Sequence, residues 1–403
     1  MFKKVKELFH IIKFKMPKKY DVTIHLCVIL LMVLGTVMVT SCSVGETIGN
    51  NLVVIKTLIK QIAFVIAAYM VMLNVAHYFS LEKIVKYNRT LGFIMLGLLA
   101  ACLAFDGAGG AKSWIYISIP FLGQMSIQPS EFMKVYMMIS MACHIEIARR
   151  NPKFTFWEIV KIPIGFFLMS SFIIVILQND TGSFLVMALI CAVCALLPSH
   201  PNMQFPQKII MGLMGVAFVF VLFLMSDLGM ELLSKIPFVG SYIVGRFEMS
   251  ANPWKDEYGS GLQLINSLYA FASGGWKGLG LGQSIQKMKY LPAASTDYIL
   301  AITVEELGIF GFLGILCLYS CIIYKLVNYA LYSRKEGYKI IYIGTALFIF
   351  IHFVFNVGGV TGLIPLTGIP LLFISAGASS LVSVCMAIGV CQALISKERI
   401  ERE

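Results

Sequence analysis

Residues 22–42 read VTIHLCVILLMVLGTVMVTSC, an apolar run that contains no Asp, Glu, Lys or Arg. A helix needs about 20 apolar residues to cross a bilayer whose hydrocarbon core is about 30 Å thick. This stretch therefore predicts a transmembrane helix. The mainly basic residues 1–21 precede it, and the run has full membrane length, so the pattern is not that of a cleavable signal peptide.

The composition of the whole chain agrees with a lipid environment. Of the 403 residues, 58% are hydrophobic and only 13% are charged, and the mean hydropathy is +0.83. A soluble domain has about 25% charged residues because its surface faces water. The composition therefore excludes a soluble enzyme, a disordered chain, a collagen-like chain and a small disulfide-stapled domain.

Further apolar runs follow the first one along the chain. Together they predict an all-α polytopic membrane protein with ten transmembrane helices, in a single membrane domain that covers residues 1–403. The predicted spans are roughly 22–42, 54–76, 91–105, 128–147, 160–177, 182–198, 208–227, 298–324, 339–360 and 368–396. The last run is long enough to break or to include a re-entrant piece.

The Lys and Arg residues indicate the orientation of these spans, because basic residues collect in short cytoplasmic loops. With a cytoplasmic N-terminus, where residues 1–21 form a basic tail, 22 of the 32 Lys and Arg residues lie in cytoplasmic segments. The C-terminus is then cytoplasmic, and residues 228–297 form one large extracellular loop between helices 7 and 8. The net charge of +11 reflects loops that face anionic headgroups, and no basic stretch interleaved with aromatic residues indicates a nucleic-acid partner.

Two charged residues lie inside the fourth predicted span. Glu131 and Lys134 are three residues apart, so they share a helix face and lie within reach of an ion pair. An ionisable side chain in hydrocarbon is costly, and each one that is retained there predicts a site. Two interpretations remain open: the pair neutralises itself and fixes helix packing, or it forms the polar floor of a cavity.

Acidic residues also mark the eighth predicted span. Asp297 lies at its outer mouth, and Glu305 and Glu306 lie within the apolar run. Positions 297, 301 and 305 share a helical face and span about 12 Å, so Asp297 and Glu305 are expected to form a line of acid that runs inward. The alternative for Asp297 is a cap at the helix start. Asp180, in a short outer turn, is expected to be a turn or capping residue.

Cationic side chains lie in the predicted outer loop. They are Arg246, Lys255, Lys277, Lys287 and Lys289. Arg can bind a phosphate group through two parallel hydrogen bonds, so these residues are candidates for binding an anionic headgroup, with a solvated surface as the alternative. The six histidines are scattered and predict no metal site.

Four signatures lie along the chain. They are GAKSW (110–114) with QPSE (128–131) and Lys134; NPW (252–254) with Asp256, Gly259, Gly261 and Gln263; SGG (273–275) with Gly278, Gly280 and Gly282, leading into LP (291–292), TD (296–297) and EELG (305–308); and NVG (356–358) with GLIPLTGIP (362–370). Together they resemble the SEDS family (shape, elongation, division and sporulation), the family of the RodA, FtsW and SpoVE proteins. The resemblance covers nearly the whole chain and is somewhat closer to FtsW and SpoVE.

The resemblance implies a peptidoglycan glycosyltransferase of the bacterial cytoplasmic membrane. Such an enzyme polymerises lipid II, the undecaprenyl-pyrophosphate-linked disaccharide peptide, into β-1,4 glycan strands on the outer face, for cell division or cell shape. The implied protein partners are a class B penicillin-binding protein transpeptidase and other division or elongation proteins. The family's essential aspartate matches Asp297, its intramembrane pair matches Glu131 and Lys134, and its outer-loop arginine matches Arg246.

The chemistry of glycan polymerisation suits these residues. A single-displacement transferase requires one general base rather than the acid pair of a glycosidase. The expected catalytic base is Asp297, and inversion at the anomeric carbon is expected from the family. The expected substrate-binding residues are Arg246 or Lys112 for the pyrophosphate and Glu131, Lys134 and Glu305 for the polar cavity below. No metal ligands are predicted, although a divalent cation, Mg or Mn, could assist the leaving group.

The sequence departs from the family pattern around the aspartate. Ala293 and Ser295 replace an acid and a histidine, and Lys289 stands where division-type members often have an acid. Asn179 replaces a proline. In the last predicted span Leu372, Ala376 and Ala378 replace proline, tyrosine and glycine. Two alternatives stay open: a flippase for the same lipid-linked precursor, which would also explain the intramembrane charges, and a non-catalytic scaffold of the cell-wall synthesis machinery, which the changed residues around Asp297 favour.

Overall fold

The structure, a computed structural model, describes residues 12–46, 51–105, 107, 111–119, 123–149, 151, 153–224, 226, 228–229, 231 and 240–403. Residues 1–11 of the predicted basic tail lie outside this described part. The same holds for Gly110 of the first signature and for residues 232–239 of the predicted outer loop.

Twelve α-helices account for most of the described chain, which confirms the helical class. They are α1 (Val22–Glu46), α2 (Asn51–Tyr78), α3 (Leu81–Ala101), α4 (Pro129–Arg149), α5 (Phe156–Phe172), α6 (Thr181–Leu196), α7 (Gln204–Leu224), α8 (Gly240–Ala251), α9 (Leu262–Gly274), α10 (Ile299–Tyr332), α11 (Glu336–Thr361) and α12 (Ala378–Glu401). Single turns at Cys102–Ala104, Pro201–Met203 and Pro253–Asp256 are 3₁₀-helical, and Ile173–Leu177 extends α5 as a π-helix.

One β-hairpin adds an element that the sequence analysis did not predict. Strands β1 (Ile115–Ile119) and β2 (Gly123–Ile127) pair in an antiparallel register that sets Ile115 opposite Ile127. The hairpin leads directly into α4, and its second strand contacts the start of α12.

Within the described residues, eight helices are long and apolar enough to cross a membrane, which confirms a polytopic membrane architecture. They are Val22–Gly45, Asn51–Tyr78, Leu81–Ala104, Phe156–Leu177, Pro201–Phe223, Ile299–Tyr332, Glu336–Thr361 and Ala378–Glu401. Two further predicted spans coincide with α4, which carries four charged residues, and with α6, which has only 16 residues. The count of ten spans therefore stays a prediction.

Two largely buried helices, α4 and α11, carry polar residues of the interior. α11 packs against α10, α4 and α6, and α4 packs against α3, α5, α6 and α12. Most residues of both α4 and α11 are buried. In contrast, α7 exposes apolar side chains around its whole circumference and packs mainly against α6, as expected for a helix surrounded by lipid.

Helix α10 is interrupted at Gly308, whose φ of 69° and ψ of −170° are not helical. Carbonyl groups freed at this break accept backbone hydrogen bonds from the segment after α9: Leu279 N donates to Glu305 O at 2.9 Å, and Gly280 N donates to Glu306 O at 3.0 Å. A Cβ at Gly308 would lie 2.3 Å from the carbonyl oxygen of Trp276, so only glycine allows this approach.

The start of α10 corrects the predicted line of acid from Asp297 to Glu305. α10 begins at Ile299, so Asp297 precedes the helix and does not share a helical face with Glu305. Asp297 is not its cap either, because the N-cap residue is Tyr298, which makes no side-chain capping hydrogen bond.

The last predicted span, 368–396, is correct only in its second part. α11 ends at Gly362 in the left-handed conformation, and α12 does not begin until Ala378. Residues 363–377, called here the extended segment, are not helical. Pro365 and Pro370 disfavour a helix there because proline lacks the backbone N–H.

The predicted outer loop 228–297 is more ordered than its Gly-rich sequence indicates. It contains α8 and α9, and α9 packs against α10 with one face buried. The loop therefore contributes to the wall around the polar interior.

Candidate active site

A polar cavity of about 410 Å³ lies between α4, the start of α6, the extended segment and the turn that precedes α10. Four of the residues predicted from the sequence line it: Glu131, Lys134, Arg246 and Asp297. These residues are far apart in the chain, so the fold has brought together the acid, the buried pair and the arginine.

Backbone contacts hold Asp297 at the wall of this cavity. Asn356 on α11 donates from Nδ2 to the carbonyl oxygens of Asp297, at 2.9 Å, and Ile369, at 3.0 Å. Ser375 Oγ donates to Thr296 O at 2.7 Å. One helix and the extended segment thus fix the main chain on both sides of the aspartate.

The carboxyl group of Asp297 differs in its surroundings from the other cavity acids. No side chain of the described residues donates a hydrogen bond to it, and Gly368 is its neighbour, since a Cβ there would lie at an ordinary contact distance of 3.8 Å from Oδ2. Burial raises the pKa of Asp297 above its ordinary value, because a buried carboxylate loses solvation. A half-buried carboxylate with a raised pKa and open space before it is suited to accept a proton.

Glu131 and Lys134 form the ion pair that their spacing predicted. Lys134 Nζ lies 2.7 Å from Glu131 Oε1, and both side chains are buried. His352 on α11 completes the group, with Nε2 3.4 Å from Lys134 Nζ and 4.0 Å from Glu131 Oε2. The Nδ1 of His352 lies 3.2 Å from Pro370 O, so Nδ1 carries the proton and Nε2 faces the ammonium as an acceptor.

One carboxylate oxygen of Glu131, Oε2, is still available to accept a hydrogen bond. Glu131 Oε2 is buried, and no hydrogen-bond donor among the described residues reaches it. Because Glu131 lines the cavity, this oxygen can accept a hydrogen bond from a ligand there.

Asp180 has the capping role that was predicted for it. It is the N-cap of α6, where Oδ1 accepts from Ser183 N at 2.9 Å. Its other oxygen, Oδ2, accepts from Gln128 Nε2 at 2.9 Å. Both carboxylate oxygens are therefore engaged in fixing the cavity wall.

Arg246 on α8 lies where two cavities meet. Its guanidinium donates to Leu366 O at 3.1 Å, and the residue is exposed. It lines the polar cavity and also a neighbouring cavity of about 380 Å³ that includes Tyr298 and Leu264. An arginine in this position can contact an anionic group that enters either space.

Two of the predicted site residues are elsewhere. Lys112 is exposed and does not line the cavity, although its neighbour Ala111 does. Both carboxylate oxygens of Glu305 accept hydrogen bonds from the segment after α9: Oε1 from Ile285 N at 3.1 Å and Oε2 from Gln286 N at 3.3 Å. Glu305 therefore holds a loop instead of shaping the cavity.

The donor set does not fit a divalent cation held by the protein. Within the described ranges, no three His, Cys, Asp or Glu side chains are placed to bind a metal ion. Glu131 is paired with Lys134 and Asp180 is engaged in capping, which leaves Asp297 as a single carboxylate. We therefore derive no step through a metal.

The sequence assigned no site role to His352 or Asn356, and it did not place Lys287 in the interior. His352 and Asn356 lie within an apolar run, and that position was the available signal. Lys287 was predicted to be solvated or to bind an anion. It is fully buried and paired with Glu306, with Nζ to Oε1 at 2.6 Å.

Comparison with sequences of known proteins gives matches along nearly the whole chain. A family model described as Cell cycle protein, of FtsW, RodA and SpoVE, matches residues 21–400. The Probable peptidoglycan glycosyltransferase FtsW of Bacillus subtilis (strain 168) is 33% identical over 382 residues, which cover 93% of this chain and 90% of that protein. The Stage V sporulation protein E of the same organism is 33% identical over 377 residues, which cover 92% and 95%.

Solved structures share the fold. The Thermus thermophilus rod shape determining protein RodA aligns with a TM-score of 0.63 and 19% identity, covering 94% of this chain and 97% of that one. A chain from a peptidoglycan synthase complex, studied for the structural coordination of polymerization and crosslinking, aligns with a TM-score of 0.68 and 19% identity, covering 95% and 99%.

Proposed function

This chain belongs to the family of FtsW, RodA and SpoVE cell cycle proteins, and from that premise we propose that it is a peptidoglycan glycosyltransferase that polymerises lipid II. It is a multi-pass protein of the bacterial cytoplasmic membrane. The observation that carries the proposed chemistry is the carboxyl group of Asp297, which has no side-chain partner among the described residues and lines the same cavity as Arg246.

In the proposed reaction, Asp297 is the general base. Its carboxylate takes the proton from the 4-hydroxyl of the acceptor sugar while that oxygen attacks the anomeric carbon of the donor. The new glycosidic bond forms as the bond to the lipid pyrophosphate breaks, and the pyrophosphate leaves with the bonding electron pair. Attack opposite to the leaving group converts the α-linked donor into a β-1,4 linkage.

The other cavity residues have supporting roles in this proposal. Arg246 stabilises negative charge on the departing pyrophosphate, as a positioned guanidinium does in phosphate-binding sites. Glu131 Oε2 accepts a hydrogen bond from a sugar hydroxyl or amide, and Lys134 pairs with the other oxygen of the same carboxylate. Asn356 holds the backbone of Asp297 and is a positioning residue.

The orientation of the chain suits this role. We propose ten spans with both termini in the cytoplasm, which places Asp297 on the outer side of the membrane. The proposed protein partner is a class B penicillin-binding protein transpeptidase, in agreement with the shared fold of the chain from a peptidoglycan synthase complex. Other division or elongation proteins are expected to associate with this pair.

The test is polymerisation of labelled lipid II by the purified chain with its transpeptidase, in the presence of Mg or Mn. Asp297→Asn is expected to lower the rate by at least about 100-fold, the usual contribution of a general base. Asp256→Asn is the matched control, because that aspartate is exposed and lies outside the cavity. Movement of lipid II across vesicles without glycan formation would indicate a flippase, and neither activity would indicate a scaffold.

The pH dependence of the rate adds a separate check. A base must be ionised, and the raised pKa of Asp297 means that this carboxylate is protonated at a higher pH than an ordinary aspartate. The rate is therefore expected to fall as the pH drops through that raised pKa. At pH values above that raised pKa, Asp297→Asn should be at least as stable to unfolding as the unsubstituted protein, because the substitution removes a charge whose burial is unfavourable.

A further inference from the structure

The segment 275–290, called here the strap, connects α9 to the turn that carries Asp297. Its inner side is fixed by the two acids at the break in α10. Glu305 accepts from Ser284 Oγ and from two strap N–H groups, and Lys287 Nζ lies 2.6 Å from Glu306 Oε1. Lys287 Nζ also donates to Ser41 Oγ on α1 at 2.8 Å. The inner side is therefore bound to two helices by buried charges.

The outer side of the strap is apolar and exposed. The exposed large side chains are Trp276, Leu279, Leu281, Ile285, Met288 and Tyr290. Lys277 and Lys289 are exposed on the same segment. Several large apolar side chains exposed on one short segment indicate an interface, and the combination of Trp, Tyr and Lys is typical of the boundary between a bilayer and water.

The position of the strap along the helix axes also places it at the boundary between the bilayer and water. The part of α10 that follows Gly308, residues 309–332, has 24 residues and a length of about 36 Å, against about 30 Å for the hydrocarbon core. Residues 22–41 of α1 span about 30 Å, and Ser41 at that level contacts Lys287. Two independent helices thus place the strap at the membrane surface remote from the termini.

The strap is also continuous with the lipid-facing surface of α10. The ring of Trp276 lies 6.0 Å from the ring of Phe310, measured between centroids. Phe310 is 60% exposed on a membrane-spanning helix, where its surroundings are lipid. The apolar surface of the strap therefore extends the surface that the membrane already covers.

We propose that the strap is a membrane-binding element, whose apolar side chains insert among the headgroups and upper acyl chains while Lys277 and Lys289 contact anionic headgroups. Its charge and its continuity with the lipid-facing surface favour lipid over a protein partner as the occupant. Because the strap leads into the turn before α10, this contact sets the level of Asp297 relative to the membrane surface. The proposal does not depend on the catalytic role of Asp297.

The test places a nitroxide spin label at Leu281→Cys in the full chain, reconstituted in vesicles of phosphatidylcholine and phosphatidylglycerol. Leu281 is 58% exposed, and the matched control Tyr258→Cys is 90% exposed in the same outer segment but off the strap. Both are made with Cys317→Ala, because Cys317 is the one exposed native cysteine. The ratio of oxygen to nickel-chelate accessibility is expected to be several-fold higher at 281 than at 258.

Two outcomes would overturn the proposal. One is equal accessibility of both labels to the water-soluble nickel chelate. The other is shielding of the label at 281 only after the transpeptidase is added, which would make the strap a protein-docking surface. The headgroup contact is tested with Lys277→Gln/Lys289→Gln, which should lower the ratio at 281 in vesicles with phosphatidylglycerol and leave it unchanged in phosphatidylcholine alone. An unchanged ratio in both vesicles would rule out the anionic contact.

Discussion

The buried group of Glu131, Lys134 and His352 shows how a charge is kept inside a membrane bundle. Lys134 has two partners, the Glu131 carboxylate at 2.7 Å and His352 Nε2 at 3.4 Å. A buried ion pair contributes little net stability, but the loss of one partner leaves an uncompensated charge in a low-dielectric interior. The two charges are therefore expected to depend strongly on each other.

At the residue scale we predict that Lys134→Met is much more destabilising than the double change Glu131→Gln/Lys134→Met. The single change leaves the buried Glu131 without its ion-pair partner, which is expected to lower the free energy of unfolding by about 3–5 kcal/mol, whereas the double change removes both charged groups. Thermal unfolding of the purified variants in detergent gives the comparison. If the two variants unfold at the same temperature, the charges are not coupled as the geometry indicates.

The same variants separate packing from catalysis. Should the double variant fold well and still polymerise lipid II at the parental rate, the pair has only a packing role. A folded double variant with a reduced rate places the pair in the substrate site.

At the scale of one element, the break in α10 frees the carbonyl groups of Glu305 and Glu306 for hydrogen bonds from the strap. Without it, the carbonyl groups of residues 305 and 306 would be used within the helix and would not accept from Leu279 and Gly280. The break requires a positive φ at Gly308 and close contact with the backbone of Trp276.

We predict that Gly308→Ala disrupts this junction. An alanine at this position is strained by the φ of 69°, and its Cβ would overlap the Trp276 carbonyl oxygen. The free energy of unfolding is therefore expected to fall by at least about 1–3 kcal/mol. Gly314→Ala is the matched control on the same helix, since nothing lies within 4 Å of its Cβ position. The measurement is the midpoint of thermal unfolding for each variant. Equal midpoints for the two variants would contradict the assigned break.

At the scale of the whole molecule, the two ends of the described chain meet on one side of the bundle. Arg399 Nη2 lies 3.2 Å from Asp21 Oδ2, and Gln392 Nε2 donates to Asp21 O at 3.0 Å. Tyr329 donates to the same Asp21 carboxylate at 2.6 Å. The start of α1 and the end of α12 therefore lie together, on the side that the distribution of Lys and Arg assigns to the cytoplasm.

We predict opposite labelling of the two sides in intact cells. With a membrane-impermeant maleimide, Tyr258→Cys is expected to react directly, because it lies on the proposed outer surface. Glu403→Cys is expected to react only after the membrane is permeabilised. The unsubstituted chain supplies the background from its native cysteines. Direct reaction of the C-terminal cysteine would invalidate the proposed orientation.

Much of the architecture could be predicted from the sequence because its cause is local. In lipid, each backbone polar group must be satisfied within its own segment, so an apolar run of membrane length becomes a helix. The same holds for the Glu131–Lys134 pair and for the Asp180 cap, since both depend on residues only three positions apart.

Contacts between segments that are distant in the chain could not be predicted from the sequence and are seen only in the tertiary structure. Lys287 forms an ion pair with Glu306 and donates a hydrogen bond to Ser41. Asn356 donates a hydrogen bond to the backbone carbonyl of Asp297. Nothing in the local sequence of Lys287 or Asn356 indicates these partners. The break at Gly308 likewise follows from the approach of the strap. The physical reason is that a polar group buried away from water must pair with a group that helix packing places beside it. The hydrophobic periodicity of one segment does not determine which other helices pack against that segment.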